Sequence, residues 1–320
     1  MQNTPKKDTY GNTWESEVSD DGEFVRHQTS FRDQIRADSS TEFKPAVGRY
    51  HLYVSYACPW AHRTLITRKL KGLEGTLSFD VVSPLLPRTG WSFDTSFPAS
   101  TGDSVNSLQS LRDVYFMSNP HFDGAVTVPV LWDKQSNRIV NNESAEIIRM
   151  LNSEFQDFAT NPDLNLYPES KRDQIDELND WIYQNINNGV YRAGFATKQG
   201  AYSKAFGELF DSLDRVEEIL ARSRYLTGDE LTEADIRLFT TLVRFDSVYV
   251  THFKTNLRRI VDYSNIWGFT RDVYQLPGVA ETVNMAHIKS HYFESHAHIN
   301  PFGIVPVGPL LNFDEPHGRS

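Results

Sequence analysis

The sequence contains one cysteine, Cys58, at a position where a helix would activate its sulfur. The residues from His51 to Ser55 alternate in polarity as in a strand, and those from Trp60 to Lys71 carry apolar side chains at helical spacing. Pro59 suits the first turn of a helix, so Cys58 would cap its N-terminus. Free N–H groups and the positive end of the helix dipole favour a thiolate there, which predicts a lowered pKa and a nucleophilic sulfur.

The number of cysteines limits the chemistry that this sulfur would do. A buried cysteine that only fills apolar space is the alternative, and the strand–helix junction argues against it. Arg63, one turn into the helix, would add positive charge. A thioredoxin-type dithiol needs a second cysteine three residues after the first, where this chain has Ala61. Any disulfide formed by Cys58 therefore needs a sulfur from solution, and the abundant thiol of the cytosol is glutathione.

Two further segments suit an extended peptide such as glutathione. Val128 precedes Pro129 at the start of a strand, and a cis peptide bond there would leave the Val128 backbone groups free to pair with a ligand. Glu143 and Ser144 begin a later helix, where N–H groups and the hydroxyl would hold a carboxylate and Glu143 would meet an ammonium group. A trans proline that ends a loop and an ordinary helix cap are the alternatives.

Histidines close to the C-terminus raise the question of a metal site. They are His287, His291, His296 and His298. The first two have i, i+4 spacing, but no HExxH glutamate accompanies them and Cys58 is remote in sequence. We therefore interpret them as packing and hydrogen-bonding groups. Glycine-rich phosphate loops of the GxxxxGK[ST] or GxGxxG kind are absent from the sequence, so we expect neither a metal nor a nucleotide cofactor.

The elements around these residues predict a mixed sheet. A second strand at Leu77 to Val82 completes a βαβ unit after Cys58. A turn-rich insertion with one helix near Leu108 to Phe116 follows. The segment from Thr127 to Val140 reads as a hairpin, and a helix begins at Glu143. This βαβ and ββα order is that of a thioredoxin-like α/β domain with a mixed four-stranded sheet.

After Pro168 the periodicity is purely helical, which predicts an all-α C-terminal bundle. The apolar residues between Ile236 and Tyr249 surround their helix almost completely, as in the buried centre of a bundle. Thr232 and Asp235 indicate a capping box at its start. We predict four regions: an extended arm, 1–47; a thioredoxin-like domain, 48–160, with the long insertion 84–124; an all-helical domain, 168–299; and an extended tail, 300–320.

The composition is that of a globular protein. The 320 residues are 39% hydrophobic and 23% charged, with a formal net charge of −10. An acidic chain without a long basic run is unsuited to nucleic acid, and no apolar run approaches the roughly 20 residues that span a membrane. The first 25 residues contain no apolar stretch typical of a signal peptide. With its single free thiol, the protein is expected in the cytoplasm.

Four segments of the sequence carry a resemblance to a known family. The first is CPWAHR, Cys58 to Arg63, which would also suit omega-class transferases. The others are longer: NGVYRAGFAT, Asn188 to Thr197; RFDSVYVTHFKTN, Arg244 to Asn256; and HIKSHYFESHAHINPFGIVPVG, His287 to Gly308. Together they resemble the glutathionyl-hydroquinone reductases, the Xi class of the glutathione transferases. The resemblance covers nearly the whole chain and implies the glutathione transferase architecture and a homodimer.

The resemblance also implies roles for individual residues. Cys58 matches the nucleophile of the family. The implied glutathione site consists of Trp91, Val128, Pro129, Glu143 and Ser144. The implied hydroquinone pocket consists of Tyr191, Tyr249 and Tyr292, and Tyr191 and Tyr292 would donate a proton to the departing ring. Without the resemblance, the tryptophan and each tyrosine would be interpreted as packing residues.

The implied reaction is the reduction of a glutathionyl-hydroquinone. The Cys58 thiolate attacks the glutathione sulfur, the hydroquinone leaves, and a second glutathione releases oxidised glutathione from the mixed disulfide. Glutathione is then the co-substrate, and glutathionylated quinone derivatives are the partners. The alternatives are an omega-like thiol transferase or dehydroascorbate reductase, a conjugating transferase, and a non-catalytic ligand-binding module.

Overall fold

Four strands form a single mixed sheet in the first half of the chain. The computed structural model describes residues 18–26 and 28–319, so the first 17 residues of the predicted arm lie outside the described residues. The strands are β1, Tyr50–Val54; β2, Ser78–Val81; β3, Val130–Asp133; and β4, Arg138–Asn141. Their order is β2-β1-β3-β4, with β1 parallel to β2 and antiparallel to β3, and β3 antiparallel to β4. The prediction of a thioredoxin-like sheet is confirmed.

Three helices accompany the sheet in this half of the chain, and two of them pack together beside the junction of β1 and α1. Helix α1, Pro59–Leu70, connects β1 to β2, and α3, Ser144–Ser153, follows β4 and packs beside α1. The long insertion contains α2, Leu111–Ser118, close to its predicted position. Strand β1 is buried over its whole length, as a central strand should be. Because α1 also packs against a helix of the second half, the β1–α1 junction lies between the two halves.

The described part of the arm is extended and attached to both halves. Arg32 pairs with Asn141 in an antiparallel bridge, so the arm runs along the open edge of β4. Phe31 packs edge-on against Tyr115 of α2 at 5.7 Å between ring centres. Phe24 enters the apolar core of the helical half. The arm therefore covers an exposed strand edge and bridges the two halves.

The second half of the chain is helical, as predicted. Its α-helices are α4, Arg172–Ile182; α5, Gly189–Gly194; α6, Gln199–Leu220; α7, Glu233–Arg244; α8, Val250–His252; α9, Ser264–Gln275; and α10, Met285–Ser295. Turns of π-helix extend α4 over Tyr183–Asn187 and α7 over Phe245–Tyr249. Short 3₁₀ turns lie at Gln156–Phe158, Glu169–Lys171, Ile260–Asp262 and Ala280–Thr282.

Helix α7 is the centre of the bundle, and all its 12 residues are buried. Its predicted cap is confirmed: the backbone N–H of Thr232 donates to Asp235 Oδ2 at 2.8 Å, and the Thr232 hydroxyl donates to the same oxygen at 2.9 Å. The N–H of Leu226 donates to the other carboxyl oxygen at 2.8 Å. Burial nevertheless outweighs these bonds and raises the pKa of Asp235 to about 6.

The two halves have separate apolar cores. Buried residues from Ile35 to Phe155 form the core around the sheet, and those from Leu166 to Phe293, with Phe24 and Ile66, form the core of the bundle. The predicted domain limits at 160 and 168 stay a prediction. The tail lies extended on the bundle, where Phe313 packs against neighbouring aromatic rings. Among residues 18–26 and 28–319, no helix is both long and apolar enough to cross a membrane.

Candidate active site

Cys58 lies at the junction of β1 and α1, where the sequence predicted a helix cap. It is the N-cap residue of α1, and Pro59 occupies the first turn. The sulfur lies 3.5 Å from the carbonyl oxygen of Val128, and the peptide bond between Val128 and Pro129 is cis, as predicted. The backbone N–H groups of Trp60 and Ala61, at the start of α1, favour the ionised form of the thiol. The backbone of two separate loops therefore surrounds this thiol.

The ionisation of Cys58 differs from the sequence prediction. Burial raises the pKa of the thiol, and the backbone N–H groups at the helix start together with the charges of Arg244 and Arg26 lower it only in part. A helix N-terminus favours the thiolate, but a sulfur withdrawn from water loses hydration that these groups do not replace. The prediction of a lowered pKa was therefore wrong for this structure, because burial is a property of the whole fold.

Arg63 interacts electrostatically with Cys58, as the sequence suggested, and its guanidinium also makes structural contacts. Its side chain is buried, and its Nη1 donates to Ser144 Oγ at 3.3 Å while its Nη2 donates to Asn187 Oδ1 at 3.1 Å. The guanidinium carbon lies 4.4 Å from the ring centre of Trp60. Arg63 therefore links α1 to the start of α3 and to the helical half.

The start of α3 contains the two residues predicted to hold the charged end of glutathione. Glu143 caps the helix, with Oε1 accepting from the N–H of Ala145 at 3.1 Å, and its Oε2 accepts from the Thr29 hydroxyl of the arm at 3.2 Å. Ser144 is buried and faces Arg63. The ordinary helix cap that we gave as the alternative is thus present, and the role toward glutathione stays a prediction.

Trp91 is buried in the insertion, and its ring stacks on His291 of α10 at 5.1 Å. His291 Nδ1 donates to the carbonyl oxygen of Pro84 at 2.8 Å, and His287 Nε2 donates to that of Pro98 at 2.6 Å. The histidines of α10 therefore attach the long insertion to the helical half. The contacts of Trp91 are those of a packing residue, and its place in a glutathione site stays a prediction.

The remaining histidines of the C-terminal motif contact other rings. His296 Nδ1 lies 3.0 Å from Nε2 of His252, and His298 packs on Phe195 with 5.8 Å between ring centres. Burial lowers the pKa of His296 well below its ordinary value. Within the described part of the chain, no three His, Cys, Asp or Glu side chains are grouped so as to hold a metal ion.

Three tyrosines from three elements meet on the helical side of Cys58. The Tyr292 hydroxyl of α10 lies 2.5 Å from that of Tyr191 in α5 and 3.1 Å from that of Tyr249, which follows α7. All three are buried, and Trp60 stacks on Tyr191 with 6.4 Å between ring centres. The structure thus brings together the three residues predicted to form the acceptor pocket.

A glycine allows this approach of α5. A Cβ atom at Gly194 would lie 2.1 Å from the ring of Phe253, which is too close for any other residue without displacement of that ring. Phe253 in turn stacks on Tyr249 at 5.4 Å with an angle of 6° between the planes. Gly194 therefore sets the distance between α5 and the aromatic side chains behind the tyrosine cluster.

The tyrosine cluster has one hydroxyl hydrogen more than its internal hydrogen bonds use. Burial raises the pKa of Tyr191, Tyr249 and Tyr292, so all three phenols are protonated at neutral pH. Three hydroxyl groups carry three hydrogens, and the two bonds within the cluster use two of them. One hydrogen remains for a ligand. The cluster is thus suited to donate a proton or a hydrogen bond.

Two arginines near the site had no role in the sequence prediction. Arg26 of the arm lies over the rings of Trp60 and Tyr191, at 5.2 and 5.0 Å from their centres, and its Nε donates to Asn188 Oδ1 at 3.1 Å. A single arginine in a polar, aperiodic segment gives no signal in the sequence. Arg244, the last residue of α7, is fully buried, and its signal was a charged side chain between the apolar Val243 and Phe245 in the helix predicted to be the buried centre of the bundle.

Comparison with known proteins agrees with this architecture. The family model described as Glutathione S-transferase, N-terminal domain, matches residues 57–154, and Glutathione S-transferase, C-terminal domain, matches residues 199–272. Glutathionyl-hydroquinone reductase YqjG of Escherichia coli (strain K12) is 55% identical over 313 residues, which cover 96% of this chain and 95% of that protein.

Two solved structures are similar over nearly their full length. The glutathione-S-transferase Xi from Phanerochaete chrysosporium has a TM-score of 0.89 and 54% identity, covering 92% of this chain and 95% of that chain. The glutathione-bound structure of YqjG from Escherichia coli K-12 has a TM-score of 0.88 and 56% identity, covering 93% and 98%. The chain therefore belongs to the glutathione S-transferases and, within them, to the Xi class with the glutathionyl-hydroquinone reductases.

Proposed function

We propose that this protein reduces glutathionyl-hydroquinones to hydroquinones, with Cys58 as the nucleophile. The observation that carries the proposal is the position of the thiol. Cys58 lies beside the Val128 carbonyl on one side, and on the other side Trp60, two residues after Cys58, stacks on Tyr191 of the tyrosine cluster. The E. coli relative that is 55% identical bears the name of this activity.

Glutathione would occupy the sheet side of the site. The Val128 backbone would pair with the extended peptide, and the start of α3 at Glu143 and Ser144 would take its charged γ-glutamyl end. This arrangement brings the glutathione sulfur to Cys58 and the attached ring to the tyrosine cluster. That YqjG has been solved with glutathione bound supports glutathione as the ligand.

The reaction then divides between the two sides of the site. A tyrosine hydroxyl protonates the ring carbon that carries sulfur, which gives the keto tautomer of the hydroquinone. The Cys58 thiolate attacks the glutathione sulfur, the carbon–sulfur bond breaks, and its electron pair restores the aromatic ring. A second glutathione attacks the glutathione sulfur of the Cys58 mixed disulfide and leaves with it as oxidised glutathione. The ring exchanges its carbon–sulfur bond for a carbon–hydrogen bond and so gains two electrons, while the glutathione of the thioether and one glutathione thiol become one disulfide.

Replacement of Cys58 by serine tests the proposal. We expect Cys58→Ser to lose reductase activity by about a thousandfold or more, since a hydroxyl neither ionises at neutral pH nor forms the disulfide. Mass spectrometry of the wild type after incubation with glutathionyl-hydroquinone should show one glutathione on Cys58. Near-UV circular dichroism of Cys58→Ser should match the wild type, so that folding is controlled.

Other outcomes would support the rival functions. Turnover retained in Cys58→Ser would rule out the mechanism. Strong conjugation of chlorodinitrobenzene would indicate a conjugating transferase, and dehydroascorbate reduction faster than hydroquinone release would indicate an omega-like enzyme. Binding of glutathione without an adduct on Cys58 would indicate a ligand-binding module.

We also infer that the protein is a homodimer in the cytoplasm. The dimer follows from the family resemblance, and the tail exposes large apolar side chains that a second copy would cover: Phe302, Ile304, Val307 and Leu310. A reducing compartment supplies glutathione and keeps the thiol of Cys58 free. Light scattering coupled to size-exclusion chromatography and cell fractionation test these two statements; a monomer, or a membrane or extracellular location, would contradict them.

A further inference from the structure

Arg244 connects the helical half to the backbone directly before the nucleophile. Its side chain is fully buried at the end of α7. Nε donates to the carbonyl oxygen of Ala57 at 3.0 Å, and Nη2 donates to that of Tyr56 at 2.9 Å. Nη1 donates to the Thr240 carbonyl oxygen within α7 at 2.7 Å. The turn that ends in Cys58 is thus fixed to the centre of the bundle by a single guanidinium group.

The charge of this guanidinium has no carboxylate opposite it. Among residues 18–26 and 28–319, no Asp or Glu forms an ion pair with Arg244. Arg237, two turns earlier on the same helix, lies 3.5 Å from Glu233. A buried cation without an anion is costly, because carbonyl dipoles replace only part of its hydration. An anion that forms close to Arg244 would therefore be stabilised.

A histidine completes the surroundings of Arg244 without adding charge. The Thr282 hydroxyl donates to the Val279 carbonyl oxygen at 2.6 Å, so it must accept from Nε2 of His62 at 2.8 Å. His62 Nδ1 is then unprotonated and accepts from Arg244 Nη1 at 3.0 Å. Burial and the charge of Arg244 lower the pKa of His62 well below its ordinary value. Thr282 thereby fixes the tautomer that holds Arg244.

The ionisable groups that act on Cys58 come from four elements. They are Arg244 of α7, Arg26 of the arm, Arg63 of α1 and Tyr191 of α5. Three of the four are cations, and Tyr191 is a neutral phenol. Arg63 bonds to Ser144 and Asn187, and Arg26 bonds to Asn188 and lies over aromatic rings. Arg244 alone among the three bonds to the residues that lead directly into Cys58.

We propose that Arg244 is a positioning residue for the nucleophile: it holds the Tyr56–Ala57 backbone in place and supplies the buried positive charge that the Cys58 thiolate balances. This inference rests on the proposed role of Cys58 as the nucleophile. It explains how a thiol that burial keeps protonated becomes reactive, since ionisation of Cys58 gives Arg244 the anion that it lacks. The helical half thereby takes part in activating a thiol that belongs to the sheet half.

The test measures the thiol itself. Alkylation of Cys58 by iodoacetamide is followed against pH in the wild type, Arg244→Gln, Arg244→Lys and the control Arg237→Gln. We expect the midpoint of the Arg244→Gln profile to move to higher pH, with alkylation at pH 7 slowed about tenfold. Arg244→Lys keeps the charge and should stay within about threefold of the wild type, and Arg237→Gln should not move the midpoint.

A merely structural role would slow alkylation equally at every pH and leave the midpoint unchanged, and that result would overturn the proposal. If Arg244→Gln does not fold, Thr282→Val decides, because it touches neither Arg244 nor Cys58 yet removes the acceptor of His62 Nε2. A midpoint displaced upward in Thr282→Val supports the proposal, and an unchanged midpoint contradicts it. Because alkylation does not depend on turnover, loss of the proposed reductase activity would be distinguished from failure of this inference.

Discussion

The two sides of the candidate site are built in different ways. On the sheet side, the backbone places the chemistry: Cys58 is fixed by the end of β1 and the start of α1, and the Val128 carbonyl stands opposite. On the helical side, side chains do this work. The hydroxyls of Tyr191, Tyr249 and Tyr292 come from three separate elements and meet only because the bundle packs as it does.

This difference predicts different sensitivities. A site made of backbone groups keeps its geometry when neighbouring side chains change, because peptide N–H and C=O groups are common to all residues. A site made of buried neutral phenols and imidazoles depends on single atoms and on the exclusion of charge. Acid, or the loss of one hydroxyl, should therefore disable the helical side while Cys58 still reacts with glutathione.

The largest effect is expected from acid, which acts on the helical half. Burial lowers the pKa of His252 and His291 to about 4, and the same side chains in the unfolded chain titrate near ~6.5. As the pH falls below that value, the unfolded state takes up protons first, so each histidine costs about 2 kcal/mol of stability at pH 5. Asp235, with its pKa raised to about 6, acts in the opposite direction by about 1 kcal/mol. Urea unfolding at pH 7, 6 and 5 should show a net loss of about 2 kcal/mol from these three groups, and the lowered pKa values of His62 and His296 add to this loss.

Substitution of His291 tests whether the buried histidines cause this loss of stability in acid. His291→Phe keeps a ring on Trp91 but takes up no proton, so its stability should fall less between pH 7 and pH 5 than that of the wild type. His121→Asn, at an exposed position, serves as the control. Equal pH dependence in the wild type and His291→Phe would show that the acid sensitivity arises elsewhere.

The next largest effect is expected at the central hydroxyl of the tyrosine cluster. Tyr292→Phe removes both hydrogen bonds of the cluster, and we expect kcat for hydroquinone release to fall by about a hundredfold. The reaction of Cys58 with oxidised glutathione needs no proton donor to a ring and should keep its wild-type rate. Tyr202→Phe is the matched control, because the Tyr202 hydroxyl donates to the Lys254 carbonyl oxygen and not to the tyrosine cluster. If both reactions of Tyr292→Phe slow equally, the hydroxyl does not serve the ring.

A substitution on the sheet side should affect the second step of the reaction, in which the Cys58 mixed disulfide is resolved. In Ala61→Cys a second thiol stands one turn after Cys58, so it should attack the mixed disulfide and form an internal one. We expect turnover to fall about tenfold, because two glutathiones must then reduce an intramolecular disulfide. Ala61→Ser introduces a side chain of nearly the same size as cysteine but no thiol, so it should keep the wild-type rate. Mass spectrometry should find the internal disulfide in Ala61→Cys, and its absence would contradict the predicted geometry.

The sheet side was also the more predictable from sequence. Cys58 with Pro59, and Val128 with Pro129, carry local signals, because a helix start and a strand start are formed by neighbouring residues. The tyrosines carried no such signal, and only the resemblance to a known family indicated them. Their meeting depends on the packing of α5, α7 and α10, which periodicity alone does not specify.

Electrostatics was the least predictable part. The position of Cys58 at a helix N-terminus was correct, but its pKa is raised, because burial by the fold outweighs the helix N-terminus and the charge of Arg244. The arm was predicted to be extended, and its described part is extended and lies against both halves. That it brings Arg26 to the tyrosine cluster follows from tertiary contacts alone.

The smallest effect is expected at Arg26, where the arm reaches the helical side of the site. Its guanidinium lies over Trp60 and Tyr191, and a partly exposed contact of this kind contributes about 0.5–1 kcal/mol. Arg26→Met keeps the length of the side chain and removes the charge, so we expect KM for the glutathionyl-hydroquinone to rise about threefold with kcat nearly unchanged. Arg36→Met, in the same arm but bonded to Glu154 of the sheet half, should leave KM as it is. Equal KM values for Arg26→Met and Arg36→Met would mean that the arm holds the two halves together but does not touch the substrate.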